Sequence, residues 1–161
     1  MKNKCFIGLG VMGYPIAGHI SQEGYEVSVF NRSKEKSQSW NKDYGGRVSD
    51  SPVEAVKGCD MVFICVGKDT DVEQVVLGAN GILEGFSPGG IVIDHTTTSS
   101  VLAKRLEQEC HKKEIFFIDA PVSGGEIGAI EGNLTIMAGG EKEAFNKSKK
   151  VMDLYSKYCK R

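Results

Sequence analysis

The stretch FIGLGVMG, Phe6 to Gly13, decides the fold. Gly8, Gly10 and Gly13 fall at the G-x-G-x-x-G spacing. The chain holds 20 glycines, so the spacing alone carries little weight. The flanks carry more. KCFIGL leads in as an apolar strand. Gly13 to Glu23 leads out as a helix, with Ile16, Ala17 and Ile20 at helical spacing and Gly24 as its stop. In a strand–turn–helix unit each glycine has its own task. Gly8 permits the tight turn, Gly10 lets a diphosphate approach the backbone, and Gly13 lets the helix pack on the strand. The helix start adds free N–H groups and the positive end of a dipole.

Outward from the turn, strands and helices alternate. EVSVF reads as a second strand, and Ser33 caps a helix that holds Trp40. GRVSD is a short third strand, and Ser51 with Pro52 opens a short helix. MVFICV is apolar throughout, as expected of a strand covered on both faces. Thr70 to Leu77 is helical, GGIVID is a fifth strand, and Ser99 or Ser100 starts a helix with Leu102, Leu106 and Cys110 on one face. IFFID is a sixth strand and LTIMAG a seventh. Glu141 to Lys160 reads as a final amphipathic helix, with Phe145, Met152, Tyr155 and Cys159 along one side. The alternation predicts an α/β fold of Rossmann type, a doubly wound, mostly parallel sheet with helices on both faces. No linker divides the chain, so residues 1–161 form one domain that stops at a helix.

Composition narrows the partners. At 161 residues there is room for one real core and not for two ordinary domains. A formal net charge of -1 argues against nucleic acid as a bulk partner. Apolar runs such as MVFICV are too short to span a bilayer, so no membrane is expected. MKNK passes straight into CFIGLG with no signal-peptide cleavage pattern, which favours a cytoplasmic location. The cysteines are five in number and form no C-x-x-C pair, so they are expected to be reduced and structural. No Cys or His cluster has ligand spacing, so no metal is expected.

The position a little over 20 residues past the turn separates two coenzymes. A bare ribose favours an Asp or Glu there. This chain has Asn31 and Arg32, followed by Ser33 and Lys34. A carboxylate would repel a 2′-phosphate, whereas a guanidinium fork suits one. NADP is therefore expected, with NAD as the alternative.

Three segments carry a family resemblance: FIGLGVMGYPIAGHI, VIDHTTTSS and DAPVSGGEIGAIEGNLTIMAGG. Together they resemble the N-terminal part of the beta-hydroxyacid dehydrogenase family, which includes 3-hydroxyisobutyrate dehydrogenases and semialdehyde reductases. Ile16, His19 and Ser100 depart from the family's usual residues. The resemblance implies that Gly8, Leu9, Gly10, Val11, Met12 and Gly13 hold the diphosphate. It implies that Asn31, Arg32 and Ser33 meet the adenosine ribose and its phosphate. Cys65, Val66, Gly67 and Val72 would line the adenosine side, and Thr96 the nicotinamide side. Ser123, Gly124 and Gly125 would bind a small carboxylate substrate, with Ser123 orienting it. Glu126 also suits the related 6-phosphogluconate dehydrogenases, although Asp119-Ala120-Pro121 fits the smaller hydroxyacid enzymes better.

The family's general base is a Lys that follows a G-x-G-x-x-x-K pattern. This sequence has no glycine after Gly140. Lys147, Lys149, Lys150, Lys157 and Lys160 read as the solvated face of the final helix. The expectation is coenzyme binding with little turnover by these residues alone, with a non-catalytic NADP-binding or interaction module as the alternative. A surface made for a partner domain would also let Tyr155 and Tyr158 mediate self-association, making the chain a homo-oligomer.

Overall fold

The computed structural model describes residues 3–161. Six strands form one parallel sheet: β1 (Asn3–Ile7), β2 (Val27–Phe30), β3 (Arg47–Val48), β4 (Cys59–Ile64), β5 (Ile91–Asp94) and β6 (Phe116–Asp119). Their order across the sheet is β3-β2-β1-β4-β5-β6. Every neighbouring pair runs parallel. The order reverses direction beside β1, which opens a crevice between the ends of β1 and β4.

The helices are α1 (Gly13–Gln22), α2 (Lys34–Tyr44), α3 (Pro52–Ala55), α4 (Asp69–Leu77), α5 (Ser100–Lys112), α6 (Gly125–Glu131) and α7 (Lys142–Met152). Strand sequences that are apolar throughout follow from burial on both faces. In β4, Met61 and Phe63 join one core with Phe6, Trp40, Ile93 and Ile118. Val62 and Ile64 join the other, with Cys5, Ile7, Val92 and Leu106. Helix starts follow local chemistry where the sequence places a cap. Ser51 accepts from the Glu54 amide, and Ser99 from that of Leu102. Ser33 precedes α2 but makes no cap; its hydroxyl donates to Glu35 at 2.9 Å.

The C-terminal third departs from the sequence reading. LTIMAG yields β8 (Leu134–Met137), which lies outside the main sheet. It forms a second sheet of order β7-β8-β9 with β7 (Val122–Ser123) and β9 (Ser156–Lys160). Asp119 and Gly139 bridge the two sheets, each amide bonding the other's carbonyl. The final helix therefore ends at Met152, and the chain finishes as a strand parallel to β8. The amphipathic side read across residues 141–160 is a helix face followed by a strand. Tyr155 and Cys159 are buried, as that side required, but from a turn and from β9. Lys157 and Lys160 belong to β9 and not to a helical face. Tyr155 is fully buried and so cannot mediate self-association; Tyr158 alone of that pair is exposed.

Candidate functional site

A cleft of about 800 Å³ opens at the carboxyl ends of β1, β2 and β4. Its floor is the glycine turn. Gly8 has φ +101°, and a Cβ there would stand 2.0 Å from the Cys65 carbonyl oxygen. A Cβ on Gly13 would stand 1.9 Å from the Gly8 carbonyl oxygen. These two positions are glycine because backbone meets backbone. Gly10 differs: a Cβ there would meet nothing within 4 Å. The space above Gly10 belongs to the cleft.

Met12 precedes α1 and provides no side-chain cap. Among the described residues, the amides of Gly10, Val11 and Met12 donate to no protein acceptor. Unsatisfied N–H groups at a helix start, facing an open cleft, suit an anion such as a diphosphate. Leu9 is spent elsewhere. Its side chain is fully buried, and its amide donates to Asn31 Oδ1 at 2.9 Å. Asn31 Nδ2 in turn donates to the Ser33 carbonyl at 3.0 Å. Asn31 thus fastens the glycine turn to the end of β2. An aspartate could accept the first bond but could not donate the second.

The walls carry charge. Arg32 is exposed and donates from Nη2 to Asp71 Oδ1 at 2.8 Å. Asp50, also on the wall, pairs with Lys34 outside the cleft lining at 3.0 Å, both exposed. Cys65, Val66 and Gly67 line the cleft from the end of β4. Burial, helped by Asp94, pushes the Cys65 thiol up to about 12, so Cys65 serves as apolar wall and not as a nucleophile. Val72 is fully buried in the core beneath α4; the residues of α4 that face the cleft are Asp71, Gln74 and Val75.

Thr96 is buried just past β5. Its hydroxyl accepts from the Val66 amide at 3.0 Å, and its own amide donates to Asp94 Oδ1 at 2.9 Å. Thr96 therefore ties the end of β4 to the end of β5. Asp94 is fully buried with Oδ2 unpartnered, and burial pushes its carboxyl up to about 7. Ser123 is exposed in β7, paired with Thr135 of β8. Gly124 and Gly125 follow with φ of +135° and +66° and start α6. This second glycine turn is no part of the cleft lining.

Two features escape a reading of the sequence. His95 is fully enclosed, with Nδ1 2.7 Å from the Ala120 carbonyl and Nε2 2.8 Å from the Tyr155 hydroxyl. A carbonyl only accepts, so Nδ1 carries the proton and Nε2 accepts from Tyr155. Burial pushes this imidazole down to about 4, so it stays neutral. The chain Tyr155–His95–Ala120 joins the turn that leads into β9 to the end of β5 and to the segment just ahead of Ser123. Its partners lie 25 and 60 residues away, beyond any local pattern. Asp71 is the other feature; locally it reads only as an acidic residue in the first turn of a helix.

Residues 3–160 match the family model described as the NAD binding domain of 6-phosphogluconate dehydrogenase. An uncharacterized oxidoreductase of Shewanella frigidimarina is 46% identical over 157 residues, covering 98% of this chain and 54% of that protein. A probable 3-hydroxyisobutyrate dehydrogenase-like protein of Arabidopsis thaliana is 41% identical over 138 residues, covering 86% of this chain and 46% of that one. Among solved structures, 3-hydroxyisobutyrate dehydrogenase of Salmonella typhimurium superposes with a TM-score of 0.93 at 26% identity. That match covers 100% of this chain and 56% of the other. The chain thus spans about half the length of the curated relatives it matches.

Proposed function

The chain belongs to the family of the NAD binding domain of 6-phosphogluconate dehydrogenase, and from that premise we propose that it is the NADP-binding part of a 3-hydroxyisobutyrate dehydrogenase-like oxidoreductase. The observation that carries the reading is the set of open amides at Gly10, Val11 and Met12, floored by Gly8 and Gly13, with Arg32 on the wall. The cleft's residues fit the coenzyme. The three amides would hold the diphosphate. Arg32 would meet the 2′-phosphate, with Ser33 beside it. Val66, tied to Thr96, would shape the wall toward the nicotinamide. When bound, the coenzyme supplies or accepts a hydride.

The protein's own contribution is binding and orientation. Ser123 offers a hydroxyl, and the backbone at Gly124 and Gly125 offers close approach, for a small carboxylate such as a 3-hydroxy acid or semialdehyde. Removing a proton from a substrate hydroxyl needs a positioned base, which contributes about a hundredfold to ten-thousandfold. Among the described residues, no lysine lines the cleft. Lys147, Lys149 and Lys150 stand on α7, and Lys157 and Lys160 on β9. We therefore propose that residues 1–161 act as one coenzyme domain with little turnover by themselves, in a cytoplasmic setting. No helix among the described residues is long and apolar enough to cross a membrane.

Calorimetric titration with NADPH and with NADH, in the wild type and in Arg32→Asp, tests the coenzyme assignment. NADPH should bind tighter by about tenfold to a hundredfold, and the substitution should erase the difference. Equal affinities unmoved by the substitution would refute the NADP preference. Binding of neither coenzyme would refute the site.

A further inference from the structure

Arg32 and Asp71 stand on opposite walls of the cleft, one after β2 and the other in the first turn of α4. Their side chains meet at 2.8 Å. The two partners are not held alike. The Asp71 side chain is 22% exposed, and its Oδ2 accepts from the Lys68 amide at 3.2 Å. A Cβ on Gly67 would come within 2.8 Å of that same Oδ2, so the bare glycine leaves room for the carboxylate. The Arg32 side chain is 84% exposed, and the bond to Asp71 is its one hydrogen bond among the described residues. The carboxylate is the fixed member of the pair and the guanidinium the movable one.

We propose that Asp71 sets the coenzyme preference of this cleft, by competing with a 2′-phosphate for Arg32. The inference rests on the reading of Arg32 as the phosphate's partner. A phosphate reaching Arg32 has two courses. It shares the guanidinium with Asp71, and two anions then face each other across a few ångströms. Or it draws Arg32 away, and the ion pair is lost. Either course subtracts from what the phosphate gains. A coenzyme that lacks the phosphate meets neither cost. Asp71 therefore acts as a damper. It moderates the preference for the phosphorylated coenzyme and keeps Arg32 neutralised when none is bound. Lys34 with Asp50 repeats the arrangement on a more exposed footing, where screening leaves less effect.

The test is Asp71→Asn, titrated with NADPH and NADH beside the wild type and Arg32→Ala. Asparagine can still accept from the Lys68 amide but carries no charge to oppose a phosphate. NADPH should bind about three- to tenfold tighter, with NADH changed less than about twofold. Adenosine 2′,5′-bisphosphate against AMP should repeat the contrast without the nicotinamide half. A thermal melt confirms that the variant folds, and Asp71→Ser serves as a second uncharged replacement. Equal shifts for both coenzymes, no shift, or weaker NADPH binding overturns the inference. If Arg32→Ala lowers NADPH affinity while both Asp71 variants leave it unchanged, only the role of Asp71 falls. If Arg32→Ala changes neither coenzyme, the phosphate reading falls and this inference with it.

Discussion

The two glycine turns, after β1 and before α6, are glycine for different reasons. In the turn after β1, Gly8 and Gly13 are fixed by packing, because each has a carbonyl oxygen where a Cβ would stand. In the turn before α6, a Cβ on Gly125 would meet nothing within 4 Å, and only φ of +66° asks for glycine. The first turn is locked into the main sheet and presents three open amides, of Gly10, Val11 and Met12, to the cleft. The second rides on the small sheet, with Ser123 exposed.

The largest expected effect tests the packing claim. Gly13→Ala, and likewise Gly8→Ala, should cost about 3 kcal/mol or more, since backbone must move. Urea unfolding measures this, and a cost under about 1 kcal/mol would break the distinction between the turns.

The next effect concerns the ties behind the two turns, where neighbouring residues respond oppositely to pH. His95 is pushed down to about 4, so its contribution is whole above about 6.5 and is lost as pH falls toward 4. Asp94 is pushed up to about 7, so its contribution is present at low pH and is lost as pH rises from about 4 toward 7. Between these limits the two partly cancel. Asp94→Asn removes one arm. Its stability should fall more steeply than the wild type's on acidification from pH 7 to 4, by up to a few kcal/mol. Unfolding curves at pH 4, 5.5, 7 and 8 decide it, and parallel profiles would show that Asp94 is not held protonated.

The smallest changes in stability belong to Gly125→Ala and Gly10→Ala. The first should cost about 1–2 kcal/mol for its left-handed backbone. The second should cost less than about 0.5 kcal/mol, because its surroundings are open. Yet Gly10→Ala should weaken coenzyme binding at least about tenfold, since its methyl group enters the space a diphosphate needs. A variant that binds as the wild type does would sharpen the comparison the other way, by moving the anion off Gly10.

The sequence alone determined the six strands that make the main sheet, helices α1 to α5 and the first glycine turn, although it set LTIMAG in the same sheet as a seventh strand. Each rests on neighbours in the chain: apolar runs such as MVFICV, caps at Ser51 and Ser99, and three glycines within six positions. Tertiary structure decided the rest. Ser156 to Lys160 carry helical spacing, yet β8 offers an open edge, and backbone pairing along it outweighs local preference. Helix α6 was hidden by its own glycines, and Val72 was drawn into the core while Asp71 turned to the cleft. Asn31 became a fastener, and His95 found partners far along the chain. Local patterns record what a residue prefers. Which face it shows, and which distant group it meets, is fixed only when the sheets close on one another.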